Sequence, residues 1–452
     1  MLFERIVSPG IAHYSYLVGD GAEAVVIDPR RDCDEYVERS LATGMRIAHV
    51  LETHRHEDFV TGSVELAART GAALWHADAQ WEYRYGRPVR DGQRWQVGAF
   101  RIEAIHSPGH TPGSMSYLLA DSSGNPWMLF SGDVLFAGEV GRIDLLGMER
   151  AREMAGALYD TIYEKFMPLG SGVIVCPAHG AGSVCGSAIA DRLWTTIGLE
   201  RNSNPRLKHA SKEHFVADVA RELERPPYFR TMERLNLEGP PVRGGAPAMR
   251  PLSHVDFEKI AKGAVILDAR SELAYAAAHV PGSLFVWPDA VTEFAGWFLP
   301  YDKPLLLVCE PKDTDQVGRA LFRLGYDDVA GFLSGGMLSW SMAGKKTASI
   351  RTSNADDFNR IIDTGAIPSM LDVRSAEEFV KAQPVAGAHN IHLTRLPGGI
   401  ANVPPERPLY VFCGSGVRSM VAASILEGRG VRDTVVVLGG YAAVKATRGR
   451  AK

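Results

Sequence analysis

Apolar and polar positions alternate near the start of the chain. Ala12 to Asp20 and Ala24 to Pro29 each read as a short strand, joined by a turn that contains Gly21. Residues 34–44 have the spacing of a helix and residues 46–51 return to a strand. Gly62 to Gly71 again reads as a helix, with Val64, Leu66, Ala67 and Ala68 as its apolar positions. Strands and helices then alternate between Gly and Pro breaks to about residue 180, which predicts an α/β layered domain. Beyond it the pattern predicts a helix from Ile189 to Leu199, a polar run from Arg201 to Arg206, and a second helix from Lys212 to Leu223. The cluster Gly239-Pro240-Pro241 marks the boundary, and Pro226-Pro227 reads as part of a connector. These helices are expected to close the first domain as its C-terminal layer. A dimer contact is their alternative use, and a homo-oligomer is the expected assembly.

The second half is duplicated. Leu267-Asp268-Ala269-Arg270-Ser271 is echoed by Leu371-Asp372-Val373-Arg374-Ser375, and the apolar run ending at Cys309 is echoed by the run ending at Cys413. Asp268 and Asp372, Cys309 and Cys413, and Gly336 and Gly440 are each 104 positions apart. A period of that length means two whole domains, each expected to be a small parallel-sheet α/β unit. The expected domains are 1–245, 250–347 and 351–450.

Composition narrows the class. The chain has 452 residues, too many for one ordinary core, and 46% hydrophobic with 23% charged residues is the balance of a globular protein. A net charge of −4 and the absence of a long basic run argue against a nucleic-acid partner. No apolar stretch reaches the length of a membrane span, and the first residues do not read as a signal peptide. The 5 cysteines are scattered, with no CxxC spacing, as expected of reduced thiols in the cytoplasm.

Four predicted strand ends carry histidine or aspartate: His54, His56 and Asp58 after the strand 46–51, His110 in a Gly- and Pro-rich loop, Asp133 after Ser131-Gly132, and His179 before Gly180. Any one alone would be an ordinary turn residue. Together they are the ligand types of zinc, iron or manganese, presented from rigid strand ends. Cys413 opens the loop Cys413-Gly414-Ser415-Gly416-Val417-Arg418-Ser419 between an apolar strand and a helix, a setting that favours a thiolate and can cradle an anion. Four residues separate Cys413 from Arg418, one fewer than in a phosphatase-type loop. Cys309 is followed by Glu310, Asp313 and Asp315 without the glycines, and is expected to be unreactive. Cys33 and Cys176 read as structural. Asp268, Arg270, Asp372 and Arg374 read as structural charge pairs.

Over about residues 1–190 this set of motifs resembles the metallo-β-lactamase fold superfamily, which implies an αβ/βα sandwich. Binuclear zinc hydrolases of that superfamily usually carry histidine directly after the aspartate of the first motif, and here the residue is Phe59. The sequence is thereby similar to the persulfide dioxygenase branch, as is the segment Gly141-Arg142-Ile143-Asp144. The resemblance implies a mononuclear Fe(II) at His54, His110 and Asp133, with O₂ as co-substrate and open positions for a persulfide. His56, Asp58 and His179 would support the ligands or hold water. The duplicated half resembles tandem rhodanese domains, the first degenerate and the second active through Cys413 and Arg418. The implied function is oxidation of a low-molecular-weight persulfide, such as glutathione persulfide, to sulfite, with sulfur transfer giving thiosulfate. Cys185, in a Gly-rich loop after His179, is a candidate sulfur acceptor. The alternative is a zinc-dependent, glyoxalase II-like thioester hydrolase fused to a sulfurtransferase. A third class is a non-enzymatic sulfur carrier with a vestigial metal site.

Overall fold

The computed structural model describes residues 1–186, 188–365, 367–382 and 385–450. They form two compact units, Met1–Pro247 with Arg319–Gly325, and Ala248–Gly318 with Tyr326–Lys452.

The first unit is built on two six-stranded sheets. One runs in chain order: β1 (Leu2–Ser8), β2 (His13–Asp20), β3 (Glu23–Ile27), β4 (Arg46–Leu51), β5 (Ala73–His76) and β6 (Arg87–Pro88). The other comprises β7 (Arg94–Val97), β8 (Phe100–His106), β9 (Met115–Ala120), β10 (Pro126–Gly132), β11 (Ile174–Pro177) and β12 (Thr195–Thr196), again in order. Neighbours are antiparallel from β1 to β3, parallel from β3 to β6, and parallel again between β10 and β11. Alternation along the strands sorts the side chains. Val25 and Ile27 of β3 meet Ile102, Tyr117, Leu119 and Phe130 of the facing sheet, whereas Val26 between them packs outward with Tyr36 and Leu66 of the helices. Helix Met148–Asp160 covers the far face through Met154 and Leu158 against Leu129 and Val175. The layers are therefore αβ/βα, as the motif resemblance implies.

Three readings of residues 189–238 are corrected. The helix expected at 189–199 starts only at Ile197, because Thr195 and Thr196 extend the second sheet as β12 and the Thr196 hydroxyl accepts Leu199 N–H at 3.1 Å as the helix cap. The helix from Lys212 stops at Val219. A further helix, Phe229–Glu238, follows the Pro226-Pro227 pair that had read as connector, and it buries Phe229, Met232 and Asn236.

The second unit holds two five-stranded parallel sheets. Strands β13 (Pro251–Leu252), β14 (Val265–Ala269), β15 (Leu284–Phe285), β16 (Leu305–Cys309) and β17 (Val329–Leu333) take the order 13-17-16-14-15. Strands β18 (Arg351–Ser353), β19 (Ser369–Asp372), β20 (His389–Asn390), β21 (Leu409–Phe412) and β22 (Thr434–Val437) take the order 18-22-21-19-20, so the sequence repeat is a repeat of topology. Every residue of the central strand β16 is buried, as expected for a parallel strand covered on both faces. Asp268 pairs with Arg270 and Asp372 with Arg374 at the ends of the equivalent strands β14 and β19. Among the described residues no helix is long and apolar enough to cross a membrane.

Candidate metal centre and cysteine loop

The metal centre is assembled where strands β3, β4 and β10 end. Asp28 follows β3 and its carboxylate accepts both the Thr53 backbone N–H and the Thr53 hydroxyl, each at 2.7 Å. With its proton committed to Asp28, the Thr53 oxygen accepts from His54 Nδ1 at 2.9 Å. That fixes the Nδ1–H tautomer of His54 and leaves the Nε2 lone pair free to bind a cation. His110 is set the same way: its Nδ1 donates to the Arg142 carbonyl at 2.9 Å. Arg142 is itself fixed by a bidentate pair with Asp144 at 2.7 and 2.8 Å. Gly141 before it must be glycine, since a Cβ there would lie 1.8 Å from the Asp133 carbonyl oxygen. The Gly141-Arg142-Ile143-Asp144 segment therefore serves to orient His110.

Asp133 completes the group. His179 Nδ1 donates to Asp133 Oδ1 at 2.7 Å, and His179 Nε2 donates to Asp58 Oδ2 at 2.9 Å. Burial opposes charge on His179, but the two carboxylates outweigh it and hold its pKa well above the ordinary value. The remaining oxygen, Asp133 Oδ2, lies 3.7 Å from His54 Nε2 and 3.5 Å from His110 Nε2. Donors held at about 2.1 Å by one cation sit about 3–4 Å apart. All three atoms are buried and have no hydrogen-bond partner among the described residues. Three converging orphaned donors, two imidazoles and a carboxylate, fit a single divalent transition-metal ion.

Phe59 stands beside this group, fully buried, with its ring 4.2 Å from His13 and 4.5 Å from His56. It leaves the position after Asp58 without a donor atom, and Asp58 is taken up by His179 at 2.9 Å. His56 turns instead toward Asp28, 3.2 Å away. Cys185 lies with Asp58 and His179, their donor atoms within 4.8 Å of one another, and packs on Phe136 and Ile189. Burial, reinforced by Asp58, Asp133 and Glu57, pushes its thiol pKa up.

Two contributors escape the sequence pattern. Glu57, an unassigned position within the first motif, directs Oε2 to within 3.6 Å of His110 Nε2 and is held on its other oxygen by Arg55 at 3.2 Å. Asn236, on the helix Phe229–Glu238, donates through Nδ2 to the carbonyls of His56 and Phe59 at 2.7 and 2.8 Å, and its Oδ1 accepts Thr61 N–H at 2.9 Å. It clamps the turn that carries the ligands. Replacing Asn236 by alanine strands three buried backbone groups. The expected result is a loss of about 2–3 kcal/mol of stability and about 10–100-fold in metal affinity, read by denaturant unfolding and by competition with a chelator.

The second chemical group is the Cys413 loop between β21 and helix Val417–Gly428. Cys413 Sγ accepts the Gly416 N–H at 3.1 Å beside the N-terminus of that helix. Gly440 packs directly on the loop: at φ 54°, a Cβ there would lie 2.4 Å from the Cys413 carbonyl oxygen, and Tyr441 N–H donates to that carbonyl at 2.7 Å. The repeated glycine pair is thus part of the loop's architecture. Arg418 is bound in two places by Glu378, at 2.7 and 2.8 Å. In the first copy Cys309 contacts Thr314 Oγ1 at 3.4 Å, and its thiol pKa is raised by burial first and by Asp268, Asp313 and Glu310 after it.

Comparison with known proteins follows these divisions. Residues 9–179 match the metallo-beta-lactamase superfamily, and residues 256–343 and 354–447 each match the rhodanese-like domain. The chain is 30% identical over 253 residues to the mitochondrial persulfide dioxygenase ETHE1 of Bos taurus, covering 53% of this chain and 84% of that protein. It is 28% identical over 218 residues to the hydroxyacylglutathione hydrolase GloC of Haemophilus influenzae, covering 44% of this chain and 93% of that protein. A solved metallo-beta-lactamase from Staphylococcus aureus superposes with a TM-score of 0.65 at 28% identity, over 73% of this chain and 98% of that one. The chain belongs to the ETHE1 family within the metallo-β-lactamase superfamily, continued here by two rhodanese-like domains.

Proposed function

We propose that residues 1–245 oxidise a thiol persulfide with O₂, that residues 351–450 transfer sulfane sulfur through Cys413, and that residues 250–347 are a non-reacting docking module. The observation that carries the first assignment is the convergence of His54 Nε2, His110 Nε2 and Asp133 Oδ2, with Phe59 in the place of a second-metal histidine. Fe(II) held by these three groups would supply the redox change and the open positions that the reaction needs, which zinc lacks. The balanced reaction is RSSH + O₂ + H₂O → RSH + SO₃²⁻ + 2 H⁺, in which the terminal sulfur is oxidised by four electrons and O₂ is reduced by four. His54 and His110 are held as neutral donors by Thr53 and the Arg142 carbonyl, and His179 fixes Asp133. A low-molecular-weight carrier such as glutathione is the substrate class. Cys185 is assigned an accessory role as a sulfur acceptor beside Asp58.

In the second half, attack of sulfite on a Cys413 persulfide breaks the S–S bond, gives thiosulfate and returns the Cys413 thiolate. Tethering keeps the local sulfite concentration high for this step. The rhodanese-like domain matches and the Cys413 Sγ contact at the helix N-terminus support it. A zinc thioester hydrolase is the second reading, favoured by the likeness to GloC and opposed by Phe59. The deciding experiment is O₂ uptake by protein loaded anaerobically with Fe(II) and given glutathione persulfide. Uptake that requires iron and yields sulfite and thiosulfate is expected. Absence of uptake at full iron occupancy, with thioester cleavage by zinc-loaded protein, would establish the hydrolase instead.

A further inference from the structure

Arg418 is the one arginine of the Cys413 loop, and an anionic sulfur compound approaching Cys413 would be expected to meet its guanidinium. In the structure each terminal nitrogen already donates one N–H to a carboxylate. Nη1 donates to Glu378 Oε2 at 2.8 Å and Nη2 to Oε1 at 2.7 Å, the fork-to-fork geometry in which arginine binds an oxyanion. Glu378 is pre-set for this. It is the third residue of the helix Ala376–Lys381, where its Oε2 accepts Ser375 N–H at 3.1 Å while Ser375 Oγ accepts Glu378 N–H at 3.1 Å. The pair lies against the reactive loop: a Cβ on Gly414 would sit 3.3 Å from Arg418 Nη2 and 3.9 Å from Glu378 Oε1.

The inert copy supplies an internal control. Displaced by the repeat offset, Glu378 corresponds to Ala274 and Arg418 to Thr314, so the carboxylate and the guanidinium are absent together where the cysteine is not set up to react. The carboxylate belongs with the reactive loop and not with the domain's framework.

We propose that Glu378 is a specificity-determining residue of the sulfurtransferase site: it occupies the terminal Arg418 fork in the resting protein, so that a sulfur oxyanion binding that fork must displace a built-in carboxylate. This rests on the assignment of sulfur transfer to Cys413. The pair lowers the affinity of the loop for small anions in general, and selects for oxyanions that replace a bidentate carboxylate on the same two nitrogens. Arginine pairing holds the Glu378 carboxyl down at about 2, so the competitor is charged throughout the working pH range.

Glu378→Gln tests it, because glutamine preserves the helix cap while removing the charge. In the thiosulfate-to-cyanide assay, KM for thiosulfate is expected to fall about tenfold and kcat about two- to threefold, and sulfate inhibition to tighten in parallel with KM, the change equal to about 1.4 kcal/mol of relieved competition. The ratio of Cys413 alkylation rates with iodoacetate and iodoacetamide, corrected with the Cys413→Ser protein, is expected to rise about tenfold in favour of the anion. Glu378→Asp, which keeps the charge, should stay near the wild-type ratio. An unchanged or lowered ratio in Glu378→Gln, or a raised KM, would mean that Glu378 only braces Arg418 and would overturn the proposal. The alkylation ratio needs no turnover, so it decides this point even if the wild-type protein transfers no sulfur.

Discussion

Replacing His110 by alanine is expected to empty the metal centre, to cut persulfide-dependent O₂ uptake by about 10³-fold or more, and to leave thiosulfate-to-cyanide sulfur transfer within twofold of wild type. His110 supplies one of the three donors of the group it forms with His54 and Asp133, and its orientation is enforced through Nδ1 by the Arg142 carbonyl. With it gone, His54 and Asp133 are a two-point site, and altering even a supporting residue outside the ligand set typically costs 10–100-fold in metal affinity. The three donors lie in Met1–Pro247, whereas Cys413 and Arg418 lie in the other compact unit, so the second activity has its own folded support. The measurement is metal per chain by elemental analysis after Fe(II) loading, beside both activity assays on one preparation. One equivalent of iron in the variant, with O₂ uptake intact, would remove His110 from the ligand set. Loss of both activities together would point to misfolding, and Lys208→Ala, a surface change elsewhere in the same unit, serves as the control.

How far the sequence reaches is clearest at the metal centre. Ligand-type residues at four strand ends stand out because apolar runs stop at Gly- or Pro-marked turns, and such punctuation is local. His54, His110 and Asp133 are legible for that reason, and the structure brings them together as buried neighbours. What positions them is not local. Asn236 reaches back 180 residues to the His56 carbonyl; Phe229, Met232 and Leu235 have helical spacing, but nothing local ties a polar residue on that buried face to the His56 turn. Glu57 sits at a position of the motif that the pattern leaves open. In the second half the repeat predicts two like parallel-sheet units, because equivalent apolar runs make equivalent strands, and the strand order of each emerges only in the structure. It does not disclose the partnership of Glu378 with Arg418, 40 residues apart, or the approach of Gly440 to Cys413. The expected helix at 189–199 failed for a related reason. Thr195 and Thr196 have partners in β11 that a local pattern cannot see, and strand pairing displaced the helix start.

Replacing Cys413 by serine is expected to do the converse of His110→Ala: sulfur transfer falls by about 10⁴-fold or more, while persulfide-dependent O₂ uptake keeps its rate and its product shifts from thiosulfate to sulfite. The thiol is the only atom in the loop able to carry sulfane sulfur. A serine hydroxyl has nearly the same shape, so the Gly416 N–H contact and the close packing under Gly440 are retained and the fold is undisturbed. Cys309 is not expected to substitute. Burial and nearby carboxylates raise its thiol pKa, and where the second copy has Arg418 it faces Thr314. The product shift carries most of the information. If thiosulfate arises at Cys413 from sulfite made at the metal centre, the variant releases one sulfite for each O₂ consumed and no enzymatic thiosulfate. If it still forms thiosulfate at the wild-type ratio, with non-enzymatic exchange measured and subtracted, then the sulfur is passed on elsewhere. Cys185, the thiol beside Asp58 and His179, becomes the residue to replace next.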